Sequence, residues 1–306
     1  MKTIYEFLIS QSSKRYVIKA SDDNIKTIVK KEVNRLGDHA DLSHIDVSKV
    51  TSLCDIFSFV KKQGSTDVIS INPDISSWDV HNVKNMRRAF AWLIDWDCDL
   101  NSWDTSSLEN TVFTFAHCYK FNSPLNNWNT KKIKKANNMF YFCEKFNQNL
   151  GNWDVQNLED ATEMFYYCES FEGKGLGNWK LLNLETITRM FSCSKFNENI
   201  SQWKFPKLKD TISLFENCKE FNQPLNDWDV SNINNMFRMF CNCEKFNQPL
   251  HKWKVDNVNN FTSMFEDAKS FNQDLRNWNI NHNSVNSYMF KGSAIKLEYM
   301  PKRSRQ

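Results

Sequence analysis

Apolar and polar positions along this chain recur with a fixed period. The stretch FNQPLNDWDVSNINNMFRMFCNCEK, residues 221–245, is followed at once by FNQPLHKWKVDNVNNFTSMFEDAKS, residues 246–270. Anchored on tryptophan, the series runs Trp78, Trp103, Trp128, Trp153, Trp179, Trp203, Trp228, Trp253 and Trp278, with steps of 25, 25, 25, 26, 24, 25, 25 and 25 residues. An insertion in FEGKGLGNW is offset by a deletion in MFSCSKF. Twelve residues after each Trp stands a Phe: Phe90, Phe115, Phe140, Phe165, Phe191, Phe215, Phe240, Phe265 and Phe290. A worn unit comes first, with Leu42, Ile45, Val47 and Phe57 in the Leu, Trp, Val and Phe positions and an eight-residue insertion around VKKQGSTD before Ile71. Nine good repeats and one degenerate repeat of this length predict a stacked array, in which each unit touches only its neighbours.

Within a unit the piece L-x-x-W-x-V alternates buried and polar positions, which predicts a short strand with one face inward. The piece N-x-M-x-x-M-F-x-x-C has apolar residues three and four apart, which predicts a short helical turn, entered at residues such as Ser231 and Asn232. The expected architecture is therefore an α/β parallel solenoid, one short strand and one short helical turn per repeat. A lone unit leaves both flat sides wet. Identical side chains must lie above one another to bury themselves.

The Asn of FNQ recurs as Asn72, Asn122, Asn147, Asn197, Asn222, Asn247 and Asn272. A side-chain amide both donates and accepts, so stacked copies predict a turn ladder. Glu172 interrupts it in the unit with the insertion, where a local bulge is expected. Residues 1–40 are expected to form an N-terminal cap, with strand-like pieces YEFLI and RYVIKA. A helix is expected from Asn24 to Leu36, with Ile25, Ile28, Val29, Val33 and Leu36 on one face and Gly37 as its stop. The solenoid is expected over 41–290, and 291–306 as C-terminal cap and basic tail. WNINHNSVNSYMF already departs from the pattern, since Asn283 replaces an apolar residue.

The string FNQPLNDWDVSNINNMFRMFCNC resembles the repeat of BspA-type leucine-rich-repeat surface proteins, F-N-Q-P-L-x-x-W-D-V-S-N-V-x-x-M-x-x-M-F-x-x-C. The resemblance covers about residues 41 to 290. It implies a right-handed parallel solenoid and a role in adhesion or protein binding, usually at a cell surface. It brings no catalytic residues with it.

A chain of 306 residues would ordinarily suggest two domains, but the repeat accounts for the length without them. The balance of 39 Lys plus Arg against 36 Asp plus Glu argues against a nucleic-acid binder that works by bulk charge. Aromatics make up 14% of residues and Gly numbers only 7, which means large buried contacts and few flexible linkers. No apolar run is long enough for membrane insertion. MKTIYEFLISQSSKRYVIKASDDN lacks a signal-peptide core, a cleavage site and a cysteine for lipid attachment, so it reads as mature protein. An intracellular or virus-encoded setting is expected from the sequence, whereas the resembled family is usually at the cell surface.

Candidate chemistry is sparse. Nine cysteines invite a metal or disulfide reading. Six of them, Cys118, Cys143, Cys168, Cys193, Cys218 and Cys243, fall at related points after the ladder Phe and are expected to be buried, reduced and apolar in role. The CNC of 241–243 lacks a partner pair at ligand spacing. The six histidines are scattered over different repeat positions, and no Gly-rich phosphate loop occurs. No catalytic residue, metal site or cofactor is expected, and the chain is read as a non-enzyme.

If the protein works by binding, its site lies where repeats differ. The position after Trp reads Asp79, Asp104, Asn129, Asp154, Lys180, Lys204, Asp229, Lys254 and Asn279, acidic early and basic-leaning in the middle. This column is either a plain solvated face or a polar stripe for an unknown protein or glycan. Ten rungs at about 4.8 Å give a ribbon about 43 Å long. With a width of about 10 Å it falls short of the roughly 800 Å² a standard interface takes from each partner, so flanking loops such as VKKQGSTD are expected to join in. The functional expectation is a non-catalytic interaction or adhesion solenoid. The alternative is a structural or assembly component, such as a virus-encoded or appendage protein. Oligomeric state is left open by the sequence.

Overall fold

The computed structural model describes residues 16–60 and 68–302. YEFLI, nearly all of the VKKQGSTD insertion and the basic tail from position 303 lie outside the described residues. The chain starts with β1, Ile18–Lys19, then helix α1, Ile25–Leu36, then β2, Ile45–Asp46, which pairs with β1 in parallel. Short 3₁₀ turns occupy Ser58–Val60, Leu176–Asn178 and Leu297–Tyr299.

Helix α1 packs through Ile25, Val29 and Val33, and ends where Gly37, at φ 86°, returns its N–H to Val33 O at 2.8 Å. Leu36, expected on the buried face, is 41% exposed. Buried Glu32 stands on that face instead. It accepts hydrogen bonds from Arg35 and lies 2.8 Å from His44 Nε2, so a charged cluster joins the helix to the first repeat.

The repeats lie side by side. Parallel bridges join Ser52 to Asn85, Asn85 to Asn110, Asn110 to Lys135, Lys135 to Asp160, Asp160 to Thr186, Asp210 to Asn235, Asn235 to Asn260 and Asn260 to Val285. Among the described residues no bridge joins Thr186 to Asp210, the interval holding the shortened MFSCSKF segment. Between bridges run one core and several files of rings. Phe115, Phe140 and Phe165 stack at centroid distances of 5.4 Å, and the file continues through Phe191, Phe215, Phe240, Phe265 and Phe290. The Phe of FNQ packs on it, as Phe246 on Phe240 at 4.2 Å. All nine repeat Trp are buried, with pairs such as Trp203 and Trp228 parallel at 6.3 Å. Each indole N–H donates to a backbone carbonyl of the preceding repeat, as Trp153 Nε1 to Leu125 O at 2.9 Å and Trp253 Nε1 to Leu225 O at 2.8 Å.

The local conformation differs from the expected strand and helical turn. L-x-x-W closes a reverse turn, with Trp228 N donating to Leu225 O at 3.0 Å, and V-x-x-V a second, with Ile233 N donating to Val230 O at 2.9 Å. The in–out alternation holds, since Trp228 and Val230 are buried and Asp229 is exposed, but pairing between repeats falls on the Asn235 position instead. No helix forms in the Met–Phe–Cys segment. Met236, Arg238, Phe240 and Asn242 donate their N–H to Asn260, Thr262, Met264 and Glu266 of the next repeat at 2.8–3.0 Å. The N–H groups between them turn back three residues, as Met239 N to Met236 O at 3.2 Å. Arg238 and Asn242 are left-handed at φ 53° and 58°. The same two positions, on either side of the ladder Phe, are left-handed in every good repeat from Arg88 and Trp92 to Tyr288 and Gly292. A left-handed non-glycine residue is unfavourable by about 1–2 kcal/mol. The stack holds it there because alternate N–H groups must point to the neighbouring repeat.

The amide ladder runs along one corner. Asn222 N donates to Asn197 Oδ1 at 3.0 Å, Asn247 N to Asn222 Oδ1 at 3.0 Å and Asn272 N to Asn247 Oδ1 at 2.9 Å. Asp97 plays the same part for Asn122 N at 2.9 Å. At Glu172 the side-chain link lapses, and Asn197 N donates to the Glu172 backbone carbonyl at 3.2 Å. The inserted residue beside it is taken up by the 3₁₀ turn Leu176–Asn178, with Gly173 and Gly175 left-handed.

Candidate functional site

Each residue of the column after Trp follows a buried ring and precedes another buried residue, so its side chain faces outward. Asp79, Asp104, Asn129, Lys180, Lys204, Asp229, Lys254 and Asn279 are exposed, and Asp154 is half-buried. The column is not uniform in what its side chains do. Asp79, Asp104, Asn129, Asp154 and Asp229 each accept the backbone N–H two residues on, from His81, Ser106, Lys131, Gln156 and Ser231, at 2.9–3.3 Å. These five close their own turns, the habit of Asp and Asn in such places. Asn279 donates to Asp256 Oδ1 at 2.7 Å. Lys180, Lys204 and Lys254 have no ion pair or side-chain hydrogen bond among the described residues. The column therefore divides into turn-makers and lysines whose ammonium groups are uncommitted.

Electrostatics follow the same division. Hydrogen bonds from Ser231 hold the Asp229 carboxyl below the usual carboxylate range, with smaller help from Lys254 and Lys204. Ser106 lowers Asp104 in the same way, with a minor contribution from His81. Asp154 and Lys180 come together on a shallow cavity of about 200 Å³, with Asn152, Gln156 and Asn178 beside them. One position ahead of Trp, Asp227 and Lys252 pair across neighbouring repeats at 2.8 Å.

A second outward-facing feature escaped the sequence reading. Two residues after the ladder Phe stand Trp92, His117, Phe142 and Tyr167, all half-buried. Their rings stack: Trp92 on His117 at 3.7 Å, His117 on Phe142 at 5.2 Å, and Phe142 on Tyr167 at 4.6 Å and 6°. Beside them Tyr141 stacks on Tyr166 at 5.2 Å. The signal was present, because this column is aromatic in four consecutive repeats and then reads Cys193, Asn217, Asn242, Asp267 and Gly292.

The cysteines form a corner file with one correction. Cys118, Cys143, Cys168, Cys218 and Cys243 are buried, and each thiol approaches the ladder-Phe carbonyl of the repeat before at 2.9–3.0 Å. Cys193 does not belong to the file. The file position is three residues after the ladder Phe, which after Phe191 is buried Ser194, while Cys193 stands one residue earlier and is half-buried. All nine cysteines are free, and burial raises the thiol pKa of Cys98 to about 11. Among the described residues no group of three or more His, Cys, Asp or Glu is placed to hold a metal ion. No helix among them is long and apolar enough to cross a membrane.

Comparison with known proteins finds one family. The sequence matches the family described as Mycoplasma protein of unknown function, DUF285, over residues 32–92, 60–179 and 185–299. No curated protein and no solved structure matches the chain.

Proposed function

Starting from the chain's membership of the DUF285 family, a repeat family of unknown function, we propose that its repeats wind into a right-handed parallel solenoid of the BspA-like leucine-rich-repeat kind. In this reading the protein is a non-catalytic interaction or adhesion module that engages a protein or glycan through the exposed column after Trp. The observation that carries it is the division of that column: Lys180, Lys204 and Lys254 reach solvent uncommitted, while their acidic neighbours are spent on turns. Such a stripe suits a partner with carboxylates or other anionic groups.

The test is a pull-down from the native host with the intact chain and with the double reversal Lys180→Glu, Lys204→Glu. Both positions are exposed, so the fold is expected to survive, checked by an unchanged circular-dichroism melt. Loss of the captured partner is the expected result. Capture at the wild-type level by the folded double variant would refute the assignment of this face.

One observation favours the second reading, a structural or assembly component. The last repeat leaves Tyr288 65% exposed on an open cavity of about 390 Å³, and Leu297 of the turn that follows is 85% exposed. In that reading a second copy covers this end. Light scattering that shows a monomer at high concentration would remove it.

A further inference from the structure

We infer that the chain carries a carbohydrate-binding pocket at the end of its outer aromatic file, on a surface distinct from the lysine column. Phe142 covers one face of the Tyr167 ring, and the file stops there because the next position is Cys193. Where a further ring would lie, Tyr167 borders an open cavity of about 480 Å³. That volume falls within the range of about 300–1,000 Å³ typical of small-molecule sites. The floor is thus an aromatic ring at the free end of a braced stack, held in place from below by Phe142, His117 and Trp92.

The rim supplies polar groups of both signs. Glu169 and Lys195 line the cavity, are exposed, and form no ion pair or side-chain hydrogen bond with each other among the described residues. Lys219 and Glu220 stand further round, engaged with Glu244 and Lys245 of the next repeat. Asn217 completes the wall, with one amide hydrogen directed at Cys193 Sγ, 3.4 Å away. The lining charges cancel, so the pocket favours neither an anion nor a cation. A neutral polyol fits this set: its hydroxyls both donate to Glu169 and accept from Lys195, while the C–H face of a pyranose lies on the electron-rich face of Tyr167.

A second, independent observation singles out this place. The pocket sits where the array departs from its period. The repeat steps are 26 and then 24, the bridge series skips from Thr186 to Asp210, and Ser194 takes a cysteine's place in the buried file. Here Cys193 follows Tyr167 in the outer column, so a small side chain stands where the preceding repeats place a ring, and the cavity opens beside it.

Saturation-transfer NMR and calorimetric titration of the full chain with maltotetraose, cellotetraose, laminaritetraose and chitotetraose test the inference. At least one is expected to bind with a Kd of about 10⁻⁴–10⁻³ M. Tyr167→Ala is expected to weaken it by about tenfold or more, and Tyr167→Phe to retain most of the affinity, because the ring rather than the hydroxyl forms the platform. The double reversal at Lys180 and Lys204 is expected to leave sugar binding unchanged, which separates this site from the proposed partner face. Should Tyr167→Ala fail to fold, the exposed pair Glu169→Ala, Lys195→Ala carries the same expectation. Failure of all four sugars to bind, or binding undiminished by the Tyr167 or Glu169/Lys195 changes, overturns the inference. Capture at this pocket of a tyrosine- and leucine-rich peptide in place of every sugar would overturn it as well, in favour of a protein partner.

Discussion

The indole N–H of Trp228 donates to the backbone carbonyl of Ile200 at 3.0 Å, 28 residues earlier and one repeat back. This bond does two things at once. It gives a carbonyl that already accepts the Trp203 N–H a second hydrogen bond in the dry interior, and it fixes how far one repeat slides over the next. Trp228→Phe keeps a ring in the file but removes this bond and leaves the Ile200 carbonyl with the Trp203 N–H as its partner, a loss of about 1 kcal/mol. Trp228→Ala also removes the ring, a loss of about 3–5 kcal/mol. Urea unfolding followed by circular dichroism reads both, and the Phe variant should fall clearly between wild type and Ala. A Phe variant as stable as wild type would mean that the bond contributes nothing net.

Ser213 combines two local penalties. Its φ is 50°, and its buried hydroxyl has no hydrogen-bond partner among the described residues. Ser213→Gly relieves both, set against the extra freedom glycine has in the unfolded chain, for a net gain of about 1 kcal/mol. Gly175 is the converse case. At φ 85°, a Cβ there would lie 2.6 Å from Gly151 N and 2.7 Å from Gly151 Cα, backbone that cannot swing aside. Gly175→Ala is expected to lose about 2–3 kcal/mol. Thermal melts of the two variants should therefore move in opposite directions, and a destabilised Ser213→Gly would contradict the strain argument.

The amide ladder predicts a graded response at Asn222. Its Oδ1 accepts both Asn247 N and Gln248 Nε2 at 3.0 Å. Asn222→Asp keeps an acceptor there, as Asp97 does for Asn122, and should be tolerated. Asn222→Ala leaves the exposed Asn247 N–H to water and should lose about 0.5–1 kcal/mol. Equal melting temperatures for the Ala and Asp variants would show that water replaces the amide without loss.

Acid should loosen the N-terminal helix through Glu32. Hydrogen bonds from Arg35, then from His44, hold the Glu32 carboxyl below its ordinary value despite burial, which acts the other way. A carboxyl depressed in the folded state contributes stability that is fully present above its unfolded pKa of about 4.3 and is lost as pH falls through the lower folded value. The hydrogen-exchange protection factors of the α1 amides should therefore fall below about pH 4 in wild type. In Glu32→Gln that acid step should be absent. An identical pH profile in the two proteins would rule out Glu32 as the source.

The amino-acid sequence by itself determined the period, which side chains recur, and hence what is buried: the Trp and Phe files, the Asn ladder and its break at Glu172 can all be read from spacing, because equivalent residues of identical units have nowhere drier to go than onto each other. It did not determine the local backbone. Apolar residues three and four apart suit a helix, yet they suit equally the turn series that passes through left-handed Arg238 and Asn242, and only the neighbouring repeat decides between them by accepting alternate N–H groups. The same holds for surfaces. Asp229 and Lys204 occupy one column in sequence, but only the folded turn shows that the first is committed to Ser231 while the second is uncommitted. The place of Ser194 in the buried file, and the cavity that Tyr167 and Cys193 line together, likewise depend on what stacks above and below. Composition and spacing act within the chain, whereas hydrogen-bond direction and ring-to-ring contact are settled between repeats, so those were decided by tertiary structure alone.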